Sequence, residues 1–242
     1  MPTNEQRRET IHAHFRDAYS YDFDRVTEAS SAVANANIAA ALGTDDAGFN
    51  REHVLERIEG DVALALAQLM KALCIDIRSD HNTMDTPARV AKMYVREVMR
   101  GRYDPMPDIT GFPNAGNLDE LYVTGPITVR SMCSHHLVPI VGRAWVGIVP
   151  GDTVIGLSKF NRLVEWVFAR PQIQEEATVQ LADIIEKAAN PKGLAVLVDA
   201  THMCMTWRGV REGSEASMRT SVLRGVMRKP EARSEFFELV KL

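Results

Sequence analysis

The sequence predicts an α+β protein: a four-stranded antiparallel sheet with two helices on one face, preceded by N-terminal helices. Three observations predict it. Apolar residues recur at three- and four-residue spacing up to Gly101 and again from Ser158, while β-rich stretches bounded by turn residues lie between and after. The resulting core order is strand, strand, helix, helix, strand, strand, which lets helices cover one face of an antiparallel sheet. Composition agrees, because 242 residues at 45% hydrophobic and 25% charged are ordinary for a globular chain and exclude a disordered, collagen-like or disulfide-stapled one.

Residues 1–49 read as an extension or arm, with a charged start, an Ala/Asn/Ser-rich stretch at Ser30–Ala41 and a polar end at Gly43–Gly48. Residues 50–118 read as a helical region. Asn50 is a plausible N-cap for a helix carrying Val54, Ile58, Val62, Leu66, Leu69 and Leu73 on one face. Thr86 caps a second helix, with Pro87 at its first position and Gly101 as its terminator. Residues 119–242 form the predicted domain of sheet and covering helices. Leu121–Arg130 and Gly142–Val149 are strands, and Phe160, Leu163, Val164, Val167 and Phe168 mark one helix face. Ala177, Leu181, Ile184, Ile185 and Ala188 mark a second, ended by Pro191-Lys-Gly193. Leu194–Ala200 is a short strand, residues 201–225 hold one or two more, and a helix closes the chain from Pro230 to Leu242. The uncovered face and open edges of such a sheet invite pairing with other subunits into a closed ring.

Lys and Arg total 28 against 32 Asp and Glu, a net charge of -4, so no global basic field attracts nucleic acid or an anionic membrane. An anionic substrate must meet a local cluster. The start Met1-Pro-Thr-Asn-Glu-Gln-Arg-Arg8 lacks a signal peptide's apolar stretch, and no run approaches the roughly 18 apolar residues of a membrane span, so a cytoplasmic location is expected. There the three cysteines are expected as thiols or metal ligands. Cys74, in Leu73-Cys74-Ile75, is expected to fill core space.

Cys133 and Cys204 suggest more. Cys133-Ser-His135-His136 is a Cys-x-x-His knuckle that can place a thiolate and an imidazole on one ion, and Cys204 supplies a distant second thiolate once strands pair. Three protein ligands leave zinc one open position. Because side chains alternate along a strand, His202 and Cys204 are expected on the same strand face, which puts a histidine beside the metal without its having to ligate it. A structural zinc with His202 as fourth ligand is the alternative reading.

These residues resemble the GTP cyclohydrolase I family. The matching segments are Asp85-Thr-Pro-Ala-Arg-Val-Ala-Lys-Met93, Met132-Cys-Ser-His-His-Leu-Val-Pro139, Ile155-Gly-Leu-Ser-Lys-Phe-Asn-Arg162, Arg170-Pro-Gln-Ile-Gln-Glu175 and Thr201-His-Met-Cys-Met-Thr-Trp-Arg-Gly209. The likeness covers about residues 50–242. It implies the tunnelling fold, assembled into a barrel and a toroidal homodecamer. It also implies Cys133, His136 and Cys204 as ligands of Zn2+, with His135, His202 and Ser158 as catalytic residues.

The implied reaction hydrolyses GTP at guanine C8, releases that carbon as formate and, after an Amadori rearrangement, closes a new ring to give 7,8-dihydroneopterin triphosphate, the first step of folate and pterin synthesis. By the same resemblance Gln174 and Glu175 recognise guanine. Lys159, Arg162 and Arg208 hold the triphosphate, with Lys92 contributed across a subunit boundary. A structural-zinc module without turnover, or a tunnelling-fold enzyme that stops at the formamide, is the alternative. Three departures from the family pattern, Ser134, Glu176 and Met218-Arg219, remove no ligand or catalytic group.

Overall fold

The computed structural model describes residues 51–213 and 215–241, together with Thr3 and Gln6. The expected arm and the Asn50 cap lie outside the described residues. Helix α1 spans Arg51–Ala72. Helix α2, Thr86–Lys92, has Pro87 in its first turn, but Thr86 is already helical and the N-cap position falls to Asp85, with no side-chain capping bond; the helix runs into a π-helical segment at Met93–Val98. Val54, Leu55, Ile58 and Val62 of α1 pack on Val95 and Tyr103, and Arg96 bridges to Glu52 and Glu59. The apolar face predicted for α1 is thus buried only in its first half. Leu69 and Leu73 are 53% and 62% exposed.

Two expectations fail nearby. Gly101 does not end the helix. It sits inside a short α3, Arg100–Tyr103, where its N–H donates to the Ala169 carbonyl at 2.9 Å. A Cβ there would lie 2.2 Å from the Trp166 carbonyl oxygen, so this glycine permits a backbone-to-backbone approach. Cys74 is exposed instead of buried, because the chain leaves α1 through a left-handed residue at that position (φ 58°) and carries the thiol away from the core.

The sheet is built from β2 (Tyr122–Cys133), β3 (Pro139–Val149), β5 (Pro171–Gln172), β6 (Gly193–His202) and β7 (Met218–Gly225), in the order β5-β2-β3-β6-β7. The four long strands are antiparallel, and the two-residue β5 joins β2 in parallel. A separate ribbon pairs β1 (Gly111–Pro113) with β4 (Thr153–Ile155), a contact absent from the sequence reading.

Helices α4 (Leu157–Phe168) and α5 (Gln174–Ala189) lie on one face. All five apolar residues predicted for the α4 face are buried, at no more than 1% exposure. Each contributes about 1.5–3 kcal/mol on leaving water. Helix α5 ends at Asn190, which adopts the left-handed conformation (φ 40°, ψ 56°) before Pro191.

The opposite face is not left wholly to partners, as the sequence reading expected. Helix α7 (Pro230–Leu239) folds back, and Phe236 and Val240 pack on Trp145, Ala195 and Leu197. Strands β5 and β7 remain the sheet's edges among the described residues. No described helix is long and apolar enough to cross a membrane.

Candidate metal centre and active site

The site is built where β2, β3 and β6 end together. Cys133 is the last residue of β2, and Met132 opposes Pro139 of β3. The connecting turn is tight. Leu137 N–H donates to the Cys133 carbonyl at 2.9 Å, Cys133 N–H donates to the Val138 carbonyl at 2.9 Å, and Leu137 adopts a positive φ of 50°. This turn folds His136 back over Cys133, with Nδ1 3.8 Å from Sγ. His135 Nδ1 lies 3.9 Å from the same sulfur.

Strand β6 brings the second half. Its last residue, His202, is in register with Ile140 at the start of β3. Here the sequence expectation is corrected, because Cys204 is not on the strand with His202. It lies in a one-turn helix, α6 (Met203–Thr206). Pairing with β7 stops at Ala200 and pairing with β3 at His202, so the backbone beyond has no ladder to join and forms a helical turn, with Trp207 N–H donating to the Met203 carbonyl at 3.0 Å.

That turn swings Cys204 over the hairpin, and the ligand atoms of Cys133, His136 and Cys204 all lie within 4.8 Å of one another. Cys133 is buried, Cys204 half-buried and His136 exposed. Burial and the neighbouring Cys133 sulfur both push the Cys204 thiol up. Two sulfurs this close become thiolates together only with a cation between them, and a sulfur, nitrogen, sulfur donor set suits a tetrahedral ion with one position open. The three residues therefore fit a metal centre.

His202 is not in that trio. Its Nε2 lies 2.9 Å from the Gln174 amide oxygen, which leaves Nδ1 as its unoccupied ring nitrogen. Burial lowers the His202 pKa, opposed by the Glu175 carboxylate, so the imidazole is neutral at neutral pH. Arg208, just beyond α6, donates from Nη1 to His136 Nε2 at 2.9 Å. Glu175 is exposed in the first turn of α5, whereas Gln174 beside it is only 2% exposed.

The remaining predicted residues lie elsewhere. Ser158 and Lys159 open α4, which follows β3, the turn at 150–152 and β4, at the far end of the sheet from Cys133. At about 3.3 Å per residue, Ile140 to Ile148 alone is roughly 26 Å of strand. Arg162 is exposed one turn further along α4, and Lys92 is exposed at the end of α2. One chain thus joins the metal trio with His135, His202, Glu175 and Arg208, and keeps Ser158 and Lys159 apart from them.

Sequence reasoning missed the support beneath the hairpin. Arg170 is fully buried, stacks 4.3 Å over the Trp166 ring and donates to the Trp166 carbonyl at 2.8 Å. Burial, reinforced by Arg102, lowers its pKa to about 10. The Gln172 amide donates to the Val167 carbonyl at 2.7 Å and to Ser131 Oγ at 3.3 Å, and Ser134 N–H donates to the Gln172 carbonyl at 3.3 Å. The signal was a charged residue directly before Pro171 between two helices, a position that reads as surface until the fold closes over it.

Comparisons with known proteins agree with this arrangement. The model of the family described as GTP cyclohydrolase I matches residues 62–241. The GTP cyclohydrolase 1 of Enterobacter sp. (strain 638) is 41% identical over 182 residues, 74% of this chain and 81% of its own length. That of Flavobacterium johnsoniae is 36% identical over 220 residues, 90% of this chain and 96% of its own. That of Aliivibrio salmonicida is 36% identical over 219 residues, 89% and 98% respectively. The matched span carries the whole sheet, both covering helices and every residue of the metal trio, and the chain belongs to the GTP cyclohydrolase I family.

Proposed function

We propose that this protein converts GTP to 7,8-dihydroneopterin triphosphate, hydrolysing guanine at C8 and releasing that carbon as formate. The observation that carries the reading is the Cys133, His136, Cys204 trio, with His202 two residues from Cys204, outside the trio and bonded to Gln174. A metal centre with three ligands and a separate histidine suits hydrolysis, whereas a purely structural zinc would take a fourth protein ligand.

A zinc ion held by Cys133, His136 and Cys204 supplies, when bound, a water activated for attack near neutral pH. The chain's own residues do the rest. C8 becomes electrophilic when N7 is protonated, and His202, two residues from Cys204, is the group to relay that proton, taking it from solvent on its free ring nitrogen before passing it to N7. His135, on the hairpin against the Cys133 sulfur, is the second proton carrier. The Glu175 carboxylate suits the two adjacent N–H donors of the guanine edge. Arg208, Lys159, Arg162 and Lys92 supply charge-assisted bonds to the triphosphate, and Ser158 serves the ribose rearrangement.

Because Ser158 and Lys159 stand at the other end of the sheet, they serve the metal centre of a second copy, which agrees with a ring-shaped homo-oligomer, expected as a decamer. Incubating the purified zinc-loaded protein with GTP, and measuring formate together with the fluorescence of the oxidised pterin, tests the reading. Both products are expected. GTP consumed without formate would mark an enzyme that stops at the formamide, and unchanged GTP with four protein ligands in the metal's absorption spectrum would mark a structural site.

A further inference from the structure

Gln174 is an amide locked on all sides. Its Nε2 lies 2.9 Å from the Met218 carbonyl, 3.0 Å from Thr220 Oγ1 and 3.3 Å from the Val198 carbonyl. Two of these are carbonyl oxygens, which can only accept, so the atom facing them is the amide nitrogen. The opposite rotation would set the amide oxygen against both carbonyls. Its own backbone carbonyl is held by Thr178 Oγ1 at 2.7 Å, and the side chain lies in a residue only 2% exposed.

The consequence falls on His202. With the amide orientation fixed, Oε1 faces the imidazole, 2.9 Å from Nε2, and an oxygen acceptor requires the hydrogen to be on Nε2. Nε2 is thereby committed to the protein, and Nδ1 is left as the nitrogen available to the reaction. We propose that Gln174 is a positioning residue that sets the tautomer and ring orientation of His202, so that a proton moves between Nδ1 and the guanine. This rests on the function proposed above and gives Gln174 a different role from guanine recognition by its side chain. A glutamine suits the position because its amide offers a donor pair to the strands and an acceptor to the ring. Glutamate would set a carboxylate against two carbonyls, and leucine would leave Nε2–H unbonded.

The test uses Gln174→Met in the zinc-loaded protein, because methionine keeps the volume and removes both hydrogen-bonding functions. The expected result is wild-type zinc content, a KM for GTP within about threefold, and kcat lowered about tenfold or more, part of the 10²–10⁴-fold that acid–base help is worth. In a His202→Ala background the same substitution should produce no further loss, since its effect passes through the imidazole. Thr220→Val, which removes one acceptor and loosens the lock while leaving Gln174 in place, should lower kcat about two- to fivefold in the wild-type background and not in His202→Ala.

A raised KM with kcat unchanged would assign the side chain to guanine recognition and overturn the proposal. An equal loss of kcat in the His202→Ala background would reduce Gln174 to a structural part and also overturn it. Should Gln174→Met fail to fold, the Thr220→Val pair decides on the same criteria. Wild-type protein assayed alongside separates the two levels: no formate from wild type defeats the proposed function and this inference with it, whereas normal wild-type turnover with either contrary result defeats this inference alone.

Discussion

The two ends of the sheet are built from the same strands and differ in nearly everything else. At one end a tight hairpin and a one-turn helix gather two sulfurs and two imidazoles, and His202, two residues from Cys204, meets Gln174 and the field of the Glu175 carboxylate in the first turn of α5. At the other, α4 begins with an exposed Ser158 and a half-buried Lys159, near no grouping of metal-binding side chains among the described residues. Chemistry concentrates at the end where three strands stop in register. Lys159, proposed above to bind the triphosphate, sits at the other end, while Arg208 lies beside His136. On the function proposed above, the difference teaches that one subunit supplies two half-sites at opposite ends of its sheet.

The largest effect should come from the metal end. Cys204→Ala removes one of three ligands and should abolish both zinc binding and turnover, as metal analysis beside a formate assay will read; stoichiometric zinc with normal activity would remove the basis for calling this end catalytic. Next is His202→Ala, which should keep zinc and lose at least about a hundredfold in turnover. Loss of zinc from that variant would make His202 a ligand and the site structural.

A smaller effect is expected at the other end, where Lys159→Ala removes a charge-assisted phosphate bond worth about 1.5–3 kcal/mol and should raise KM for GTP about tenfold or more. Mixing His202→Ala and Lys159→Ala subunits under conditions that exchange them sharpens the comparison. If the half-sites meet across copies, some pairings in the mixture hold an intact His202 opposite an intact Lys159, and activity should exceed the average of the two separate variants. Activity at that average would place both residues in one chain's site. The smallest effect should follow deletion of residues 1–45, which carry no catalytic motif. Zinc content and turnover should persist, and a fall to smaller species on sizing would show that the arm holds subunits together.

Much of this was legible because the signals were local. Phe160, Leu163, Val164, Val167 and Phe168 repeat at the helical period and meet one continuous core, so their pattern and their burial coincide. Cys133 and His136 are three residues apart, close enough for a turn to join them. What was missed depends on distant neighbours. The helical turn at Cys204 exists because two partner strands run out, Gly101 is required by the Trp166 and Ala169 carbonyls, and β1 finds β4 across a long stretch of chain. Gln174 was equally hidden, since its partners sit on β6 and β7 and no spacing within its own helix announces them.

The Gln174 amide also ties the His202 imidazole to the margin of the sheet. Two of its three acceptors, Met218 and Thr220, belong to β7, an edge strand among the described residues. An edge element detaches at lower free energy than the whole fold, and in the ring proposed above it does so once its neighbouring copy lets go. Warming should therefore silence the enzyme in two stages, with turnover fading as β7 peels away and the core strands still protected from hydrogen exchange. Catalytic output then becomes a gauge of fraying at one border of the sheet, readable well below the temperature at which the chain unfolds.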